Sequence, residues 1–510
     1  MIHKEKKKLL QKASLLSLFI LINKPVGFLR DILQNRYFGI GILSDAYITA
    51  WRIPNIFRRI FGEGLLSNVL LPHLIEIKKQ HPNNSSLIEE VITAISIILQ
   101  GIIIIICSVI AWNSQYIINL LSPGDALRAM TAGPFLSILI FFVFFMVFSA
   151  LLTIPLQLKN NFYTGPQSQF LINIALCLEF YFGWKYQWTP NIIMYITTAN
   201  GIIISGFCLF MYKKYQFSFL FPSRLSIKYT FSFFKHFFMA LFSSLFMEGS
   251  TLFSLSLSSY LKTGILSFNE ILLTLIRIPQ QIFGSALSTV SNIELTENII
   301  IKSNILSEQL RHINSLLFYM SFLTSCGIFI FGKIFFSLFF YLSGFPITNQ
   351  LLSSAHTYLF YLSLTLYPAL LSKIMTNIIY AHKKIIYATS ISFITLCIQN
   401  IFLYYTITTY QLNACIISYI LGDIIRFVLL FTFLKKKYQI NIYHSYNKTD
   451  IKFFFKFILY LFIMNINLYH ILKKLIHSSI PFYSEIIRCI IFIFIVIIYR
   501  QYHKKKQKNI

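Results

Sequence analysis

Apolar stretches of about 20 residues recur from one end of this chain to the other, and few folds accept that pattern. In hydrocarbon every backbone N–H and C=O must be satisfied within its own segment, so stretches of this kind are helices crossing a bilayer. Hydrophobic residues fill 56% of 510 positions and charged ones only 12%, a ratio that no soluble core needs. The spans fall near 10–34, 41–72, 87–112, 128–157, 165–184 and 190–212, then near 229–260, 264–291, 313–341, 351–380, 384–406 and 411–434. Two more, near 452–472 and 482–500, bring the expectation to 14. The second is long and interrupted by Pro54, Gly62 and Gly64, and is expected to be bent or broken.

The net charge of +27 raises the question of nucleic acid, but its placement answers otherwise. Basic residues gather at the N-terminus and in alternate loops: Lys78 and Lys79, Lys159, Lys213 and Lys214, Arg224 and Lys228. They continue at Lys302 and Arg311, Lys383 and Lys384, Lys435 to Lys437 and the tail Lys504 to Lys506. The intervening loops near 341–350 and 407–410 have none. Such alternation is an orientation signal, and it expects both termini in the cytoplasm. Lys473 and Lys474 break the pattern and are read as snorkelling from a helix end. Lys24 and Arg30 in the first apolar segment, with no small-residue cleavage site after it, favour a retained first helix over a removed signal.

A short repeat divides the chain. Arg52-Ile-Pro-Asn-Ile-Phe in the second span returns as Arg277-Ile-Pro-Gln-Gln-Ile-Phe in the eighth, and both run into small residues. Spans one to six (1–214) and seven to twelve (229–438) would then be two similarly oriented halves joined by a basic linker, 215–228. Residues 439–510 add two further helices and a basic tail. The expected fold is an all-α polytopic membrane protein, with about 14 transmembrane helices in two pseudo-symmetric six-helix halves plus two C-terminal helices.

No motif in the chain supports catalysis or a cofactor. It lacks a phosphate-binding Gly-Lys loop, a His-Glu-x-x-His pair and a nucleophile elbow. Its seven cysteines, Cys107, Cys177, Cys208, Cys326, Cys397, Cys415 and Cys489, lie in apolar segments without a paired spacing, which argues against a metal centre or a disulfide framework. His236, His312 and His382 are scattered.

Charges inside the spans are another matter. Even the lenient insertion scale assigns roughly 2.5–3.5 kcal/mol to a charge at bilayer depth, so such residues usually line a watery pathway. Lys24, Arg30, Asp31 and Asp45 precede the cluster Arg52, Arg58, Arg59 and Glu63. Arg59 and Glu63 are four apart and can pair along a helix, as can neighbouring Arg30 and Asp31; helix-end charges reaching the interface would look the same.

These residues carry a resemblance. Asn23-Lys24-Pro-Val-Gly27-Phe-Leu-Arg30-Asp31, Ser44-Asp45-Ala-Tyr47 and Pro54-Asn55-Ile-Phe-Arg58-Arg59-Ile-Phe-Gly-Glu63-Gly64 resemble the N-terminal signature of the MurJ (MviN) lipid II flippases, within the multidrug/oligosaccharidyl-lipid/polysaccharide exporter superfamily. Asn161-Phe162, Pro166 and Asn173-Ile174 are similar to the family as well. The resemblance implies a multi-pass protein of the bacterial inner membrane that moves lipid II, an undecaprenyl diphosphate-linked disaccharide pentapeptide, outward by alternating access. It implies a monomer among membrane lipids, with neither nucleic acid nor cofactor.

By position the family's cavity residues fall on Lys24, Arg30, Arg52 and Arg58, with Arg59 beside them and Asp31, Asp45 and Glu63 as acidic partners. Two departures stand out. The first helix has Lys24 where Arg is usual, which keeps the charge and loses the bidentate fork. In the eighth span Thr274 takes the usual Arg position, and Arg277 stands one turn later. Two phosphates call for several cationic donors at low dielectric, which fits the cluster. The alternatives are an exporter of another polyprenyl-diphosphate-linked glycan, a multidrug-type secondary transporter, or a scaffold that recruits envelope enzymes. A cation exporter would want an acidic cavity, and this cluster is basic.

Overall fold

The computed structural model describes residues 22–62, 65–82, 84, 86–159, 161–280, 305–344, 349–381 and 385–438. No strand occurs among them. Among the described residues six helical stretches are long and apolar enough to cross a membrane: Ser86–Trp112, Ala126–Lys159, Pro190–Lys214, Leu351–Ile379, Ile386–Tyr410 and Leu412–Lys437. The expected spans near 452–472 and 482–500, and Glu63, lie outside the described residues.

The helices are α1 (22–38), α2 (Ile42–Phe57), α3 (Leu65–Gln80), α4 (Ser86–Trp112), α5 (Ser114–Leu121), α6 (Ala126–Leu139), α7 (Phe142–Leu156) and α8 (Thr164–Lys185). They continue as α9 (Pro190–Lys214), α10 (Arg224–Ser258), α11 (265–280), α12 (Ile305–Ser343), α13 (Asn349–Ser363), α14 (Leu366–Ala381), α15 (Ile385–Tyr410) and α16 (Leu412–Tyr438). The expected break in the second span is present. Pro54 inside α2 has no N–H to donate, and one turn later the backbone widens into a π-helical turn over Arg58–Gly62 before α3. The segment read as one span near 128–157 is likewise two helices, α6 and α7, parting at Ile140–Phe141. Carbonyls at that joint are taken by side chains: Ile140 O by the Cys107 thiol and Ile138 O by the Thr198 hydroxyl. Leu364 and Thr365 divide α13 from α14 in the same manner.

The chain divides into two compact units, residues 1–271 with 392–418, and 272–391 with 419–510. In the first, Ala46, Ala50 and Ile53 of α2 meet Leu136 and Leu139 of α6, while Leu151 and Leu152 of α7 pack with Ile204 and Cys208 of α9 in one continuous core. In the second, Leu317 of α12 packs with Leu371, Met375 and Ile378 of α14 and with Leu430 and Leu434 of α16.

The first unit has two chemically different ends. At one, α3 and α9 finish on Lys78–Lys79 and Lys213–Lys214, where the helix dipole favours cations. The stretch after α9 is fastened to the start of α4: Glu89 accepts from the Ser218 N–H at 3.1 Å and Glu90 from the Ser223 N–H at 3.2 Å. At the other end the turns after α1, before α6 and before α11 converge. Gly264 there has φ +84°, and Ile40 stands 3.2 Å from where a Cβ would be, so this turn demands glycine.

Candidate functional site

The charges of α1 are organised around Arg30. Its Nε and Nη2 donate to one Asp31 oxygen at 3.0 and 2.6 Å, and its Nη1 donates to Asn173 Oδ1 on α8 at 2.8 Å. Asn173 in turn donates to Asn23 on α1 at 2.8 Å, next to Lys24, which is half-buried. The two motifs of the resemblance, 150 positions apart, are thus one contact. Three of the guanidinium's N–H groups are committed within the protein, and 32% of the side chain is exposed.

Along α2 and the π-helical turn the arginines are spaced so that each meets a different neighbour. Arg52 donates to Glu270 on α11 at 2.8 Å, Arg58 Nε to Asn55 at 2.8 Å, and Arg59 to Glu248 on α10 at 2.5 Å. The exposures, 21% for Arg52 and 32% for Arg59, leave both guanidiniums partly reachable. Sequence reasoning offered Glu63 as a helical partner of Arg59, and Glu63 lies outside the described residues; among the described carboxylates, Glu248 is bonded to Arg59. Neither Glu248 nor Glu270 was singled out from sequence, although a search for carboxylates inside the seventh and eighth apolar segments would have found both.

Asp45 differs from the others in being fully buried. One oxygen accepts from the Gly264 N–H at 2.7 Å and the other from the Ser267 N–H at 2.8 Å, so it caps α11 from a different helix. Its cation is Arg128, 3.5 Å away and 1% exposed, which also pairs with Asp125 at 3.3 Å and donates to the carbonyls of Ser258 and Leu261. Arg128 was not anticipated. The signal was available in Asp125 and Arg128, an N-cap acid with a cation three residues on, at the mouth of an apolar segment.

Arg277 lies on α11 in the second unit and is half-buried. Among the described residues, no group of three or more His, Cys, Asp or Glu side chains is arranged to hold a metal ion. The arrangement in the first unit can bind an anion: the guanidiniums of Arg30, Arg52 and Arg59, each paired with a carboxylate, remain partly exposed within apolar helices.

Comparison with known proteins identifies the family to which the chain belongs. A family model described as "Lipid II flippase MurJ" matches residues 34–507. A probable lipid II flippase MurJ of Buchnera aphidicola subsp. Schizaphis graminum is 26% identical over 485 residues, covering 92% of this chain and 91% of that protein. Another, of Aquifex aeolicus, is 29% identical over 286 residues, 54% of this chain and 55% of that one. Among solved structures, a lipid II flippase MurJ in an inward closed conformation superposes with a TM-score of 0.76 at 18% identity, covering 96% of this chain and 99% of the other. An inward-facing multidrug resistance MATE transporter reaches 0.60 at 13% identity, over 81% and 94%. At these identities the two structures establish likeness of fold.

Proposed function

The chain belongs to the MurJ family of lipid II flippases, and from that premise we propose how its residues move their substrate. It is a multi-pass protein of the inner membrane and a transporter, and it carries the lipid-linked peptidoglycan precursor to the outer leaflet. The observation that carries the reading is the excess of cations on α1, α2 and the π-helical turn. Among the described residues Lys24, Arg30, Arg52, Arg58 and Arg59 stand against Asp31, Glu248 and Glu270, while Asp45 is matched by Arg128. Such a group attracts a diphosphate, and the carboxylates lower the cost of keeping the cavity charged while it is empty. We propose Arg277 and Glu63 as further residues of the substrate path.

With both termini cytoplasmic, the lysine-rich end of the first unit faces the cytoplasm, and the buried Asp45–Arg128 pair closes the outer end. The head group enters from inside, displaces carboxylates from the arginine forks, and leaves outward when the outer clamp parts. About 14 spans in two six-helix halves, with two C-terminal helices beside them, suit rocking of one half against the other. An inside-negative potential favours the outward step by roughly 2.3 kcal/mol per negative charge per 100 mV. The undecaprenyl tail stays in lipid throughout.

The same diphosphate recognition would serve another polyprenyl-linked glycan, so the decisive experiment has two arms. Expression of this chain should restore growth and outer-leaflet lipid II to cells depleted of their own lipid II flippase. It should not restore cells lacking a flippase for a different undecaprenyl-linked glycan. Rescue of the second strain alone overturns the assignment to lipid II.

A further inference from the structure

Glu179 is a buried carboxylate that the substrate site does not use. It stands on α8 with 3% exposure, and α9 gives one donor to each of its oxygens. The Thr197 hydroxyl donates to Oε1 at 2.5 Å and the Asn200 amide to Oε2 at 2.6 Å. Thr197 is fully buried and Asn200 nearly so. Among the described residues no Lys, Arg or His forms an ion pair with Glu179, unlike Asp31, Asp45, Glu248 and Glu270. Helix α7, packed against α8, has no ionisable side chain. From α1 and α2 the phenols of Tyr37 and Tyr47 lie within its electrostatic reach, and beyond Tyr47 come Arg30 and Asp31. Cys177, on the same helix, also neighbours Arg30 and Asp31.

Two donors favour the anion, while dry surroundings without a cation favour the neutral acid. Groups balanced in this way change state when hydration changes, and intramembrane carboxyls of this kind serve as proton relays. A sodium ion fits worse, because the Asn200 amide presents N–H rather than oxygen to the carboxylate. Six residues before Glu179 on α8 stands Asn173, which holds Arg30 at 2.8 Å. Any shift of α8 that hydrates Glu179 therefore also disturbs the grip on Arg30.

We propose that Glu179 is a proton-binding site that couples proton movement to lipid transport, an inference resting on the flippase reading above. The carboxylate takes one proton from outer water as the emptied cavity resets, giving the neutral acid. It returns that proton to cytoplasmic water when the inner side opens, and no other bond changes.

The test uses the full chain, purified and reconstituted. Infrared difference titration across the near-neutral range should show one buried carboxyl gaining and losing a proton, absent in Glu179→Gln, which preserves shape and polarity. Flipping of lipid II in proteoliposomes should accelerate severalfold under an imposed pH gradient, acid outside. Glu179→Gln should flip at least tenfold more slowly and ignore the gradient, and Glu179→Asp should recover part of the response. A titration unchanged by Glu179→Gln overturns the proposal, as does a gradient response equal to wild type in that variant, or a response to sodium in place of protons. Wild-type protein that moves no lipid II at any pH would sink the flippase reading instead, and the infrared titration still decides whether Glu179 binds a proton.

Discussion

Arg52 and Glu270, 218 positions apart in sequence, form an ion pair of 2.8 Å between α2 and α11, each about one-fifth exposed. Both residues belong to the first unit, and Glu270 stands on the helix that later in the sequence carries Arg277, the repeat partner of Arg52. It is at once a fastening and a candidate phosphate donor, and these roles are separable.

Reversing the pair separates them. Arg52→Glu or Glu270→Arg alone leaves two like charges facing each other and should lower stability by about 1–3 kcal/mol. The double reversal should recover most of that loss in detergent melts. Transport should stay below a tenth of wild type in the double variant, because the guanidinium now projects from α11. Full transport by the double variant would limit Arg52 to fastening.

The buried clamp makes a stability prediction of its own. Asp45→Asn leaves the buried Arg128 with Asp125 as its remaining ion-pair partner and weakens the cap on α11, and should cost about 1–3 kcal/mol. Adding Arg128→Met removes the under-compensated cation and should restore part of it. Thermal unfolding of the purified variants measures both. An Asp45→Asn protein as stable as wild type would show that the charge at this position does not hold α11.

Lys24 offers a graded test of the basic cavity. Lys24→Arg should be tolerated, since it keeps the charge and adds the donors of a bidentate fork. Lys24→Met, nearly isosteric and uncharged, should fail, and Lys24→Glu should fail more severely by repelling phosphate. Outer-leaflet exposure of lipid II at matched expression is the measurement. A residue that merely snorkels from lipid would predict a harmless Met. Full activity of Lys24→Met removes this side chain from the pathway.

Orientation is checked from outside the cell. In a cysteine-free background, single cysteines at 407–410 should react with an impermeant thiol reagent in intact cells. Those at 215–225 should react only once the cells are opened. The reverse pattern would invert the protein in the membrane.

Fold class was legible in the sequence because the bilayer imposes it. Segment length, apolar composition and loop charge are local properties, so the described helices from α2 to α16, α5 excepted, overlap the expected spans, and Pro54 announced the broken second span. The basic candidates were legible too, since an arginine in an apolar segment stands out without any coordinates. Their partners were not. Glu270 for Arg52, Glu248 for Arg59 and Arg128 for Asp45 are set by which helices lie side by side, a matter of packing between segments far apart in the chain. The break between α6 and α7 was equally hidden, because it depends on Cys107 and Thr198 reaching its carbonyls from α4 and α9. Glu179 passed unnoticed for the same reason, as a lone acid in an apolar helix says nothing until its surroundings are known to hold two donors and no cation. What the sequence determined alone is what each segment must do to satisfy lipid and water. Which charges meet, and which is left to find a proton, was decided only when tertiary packing chose the neighbours.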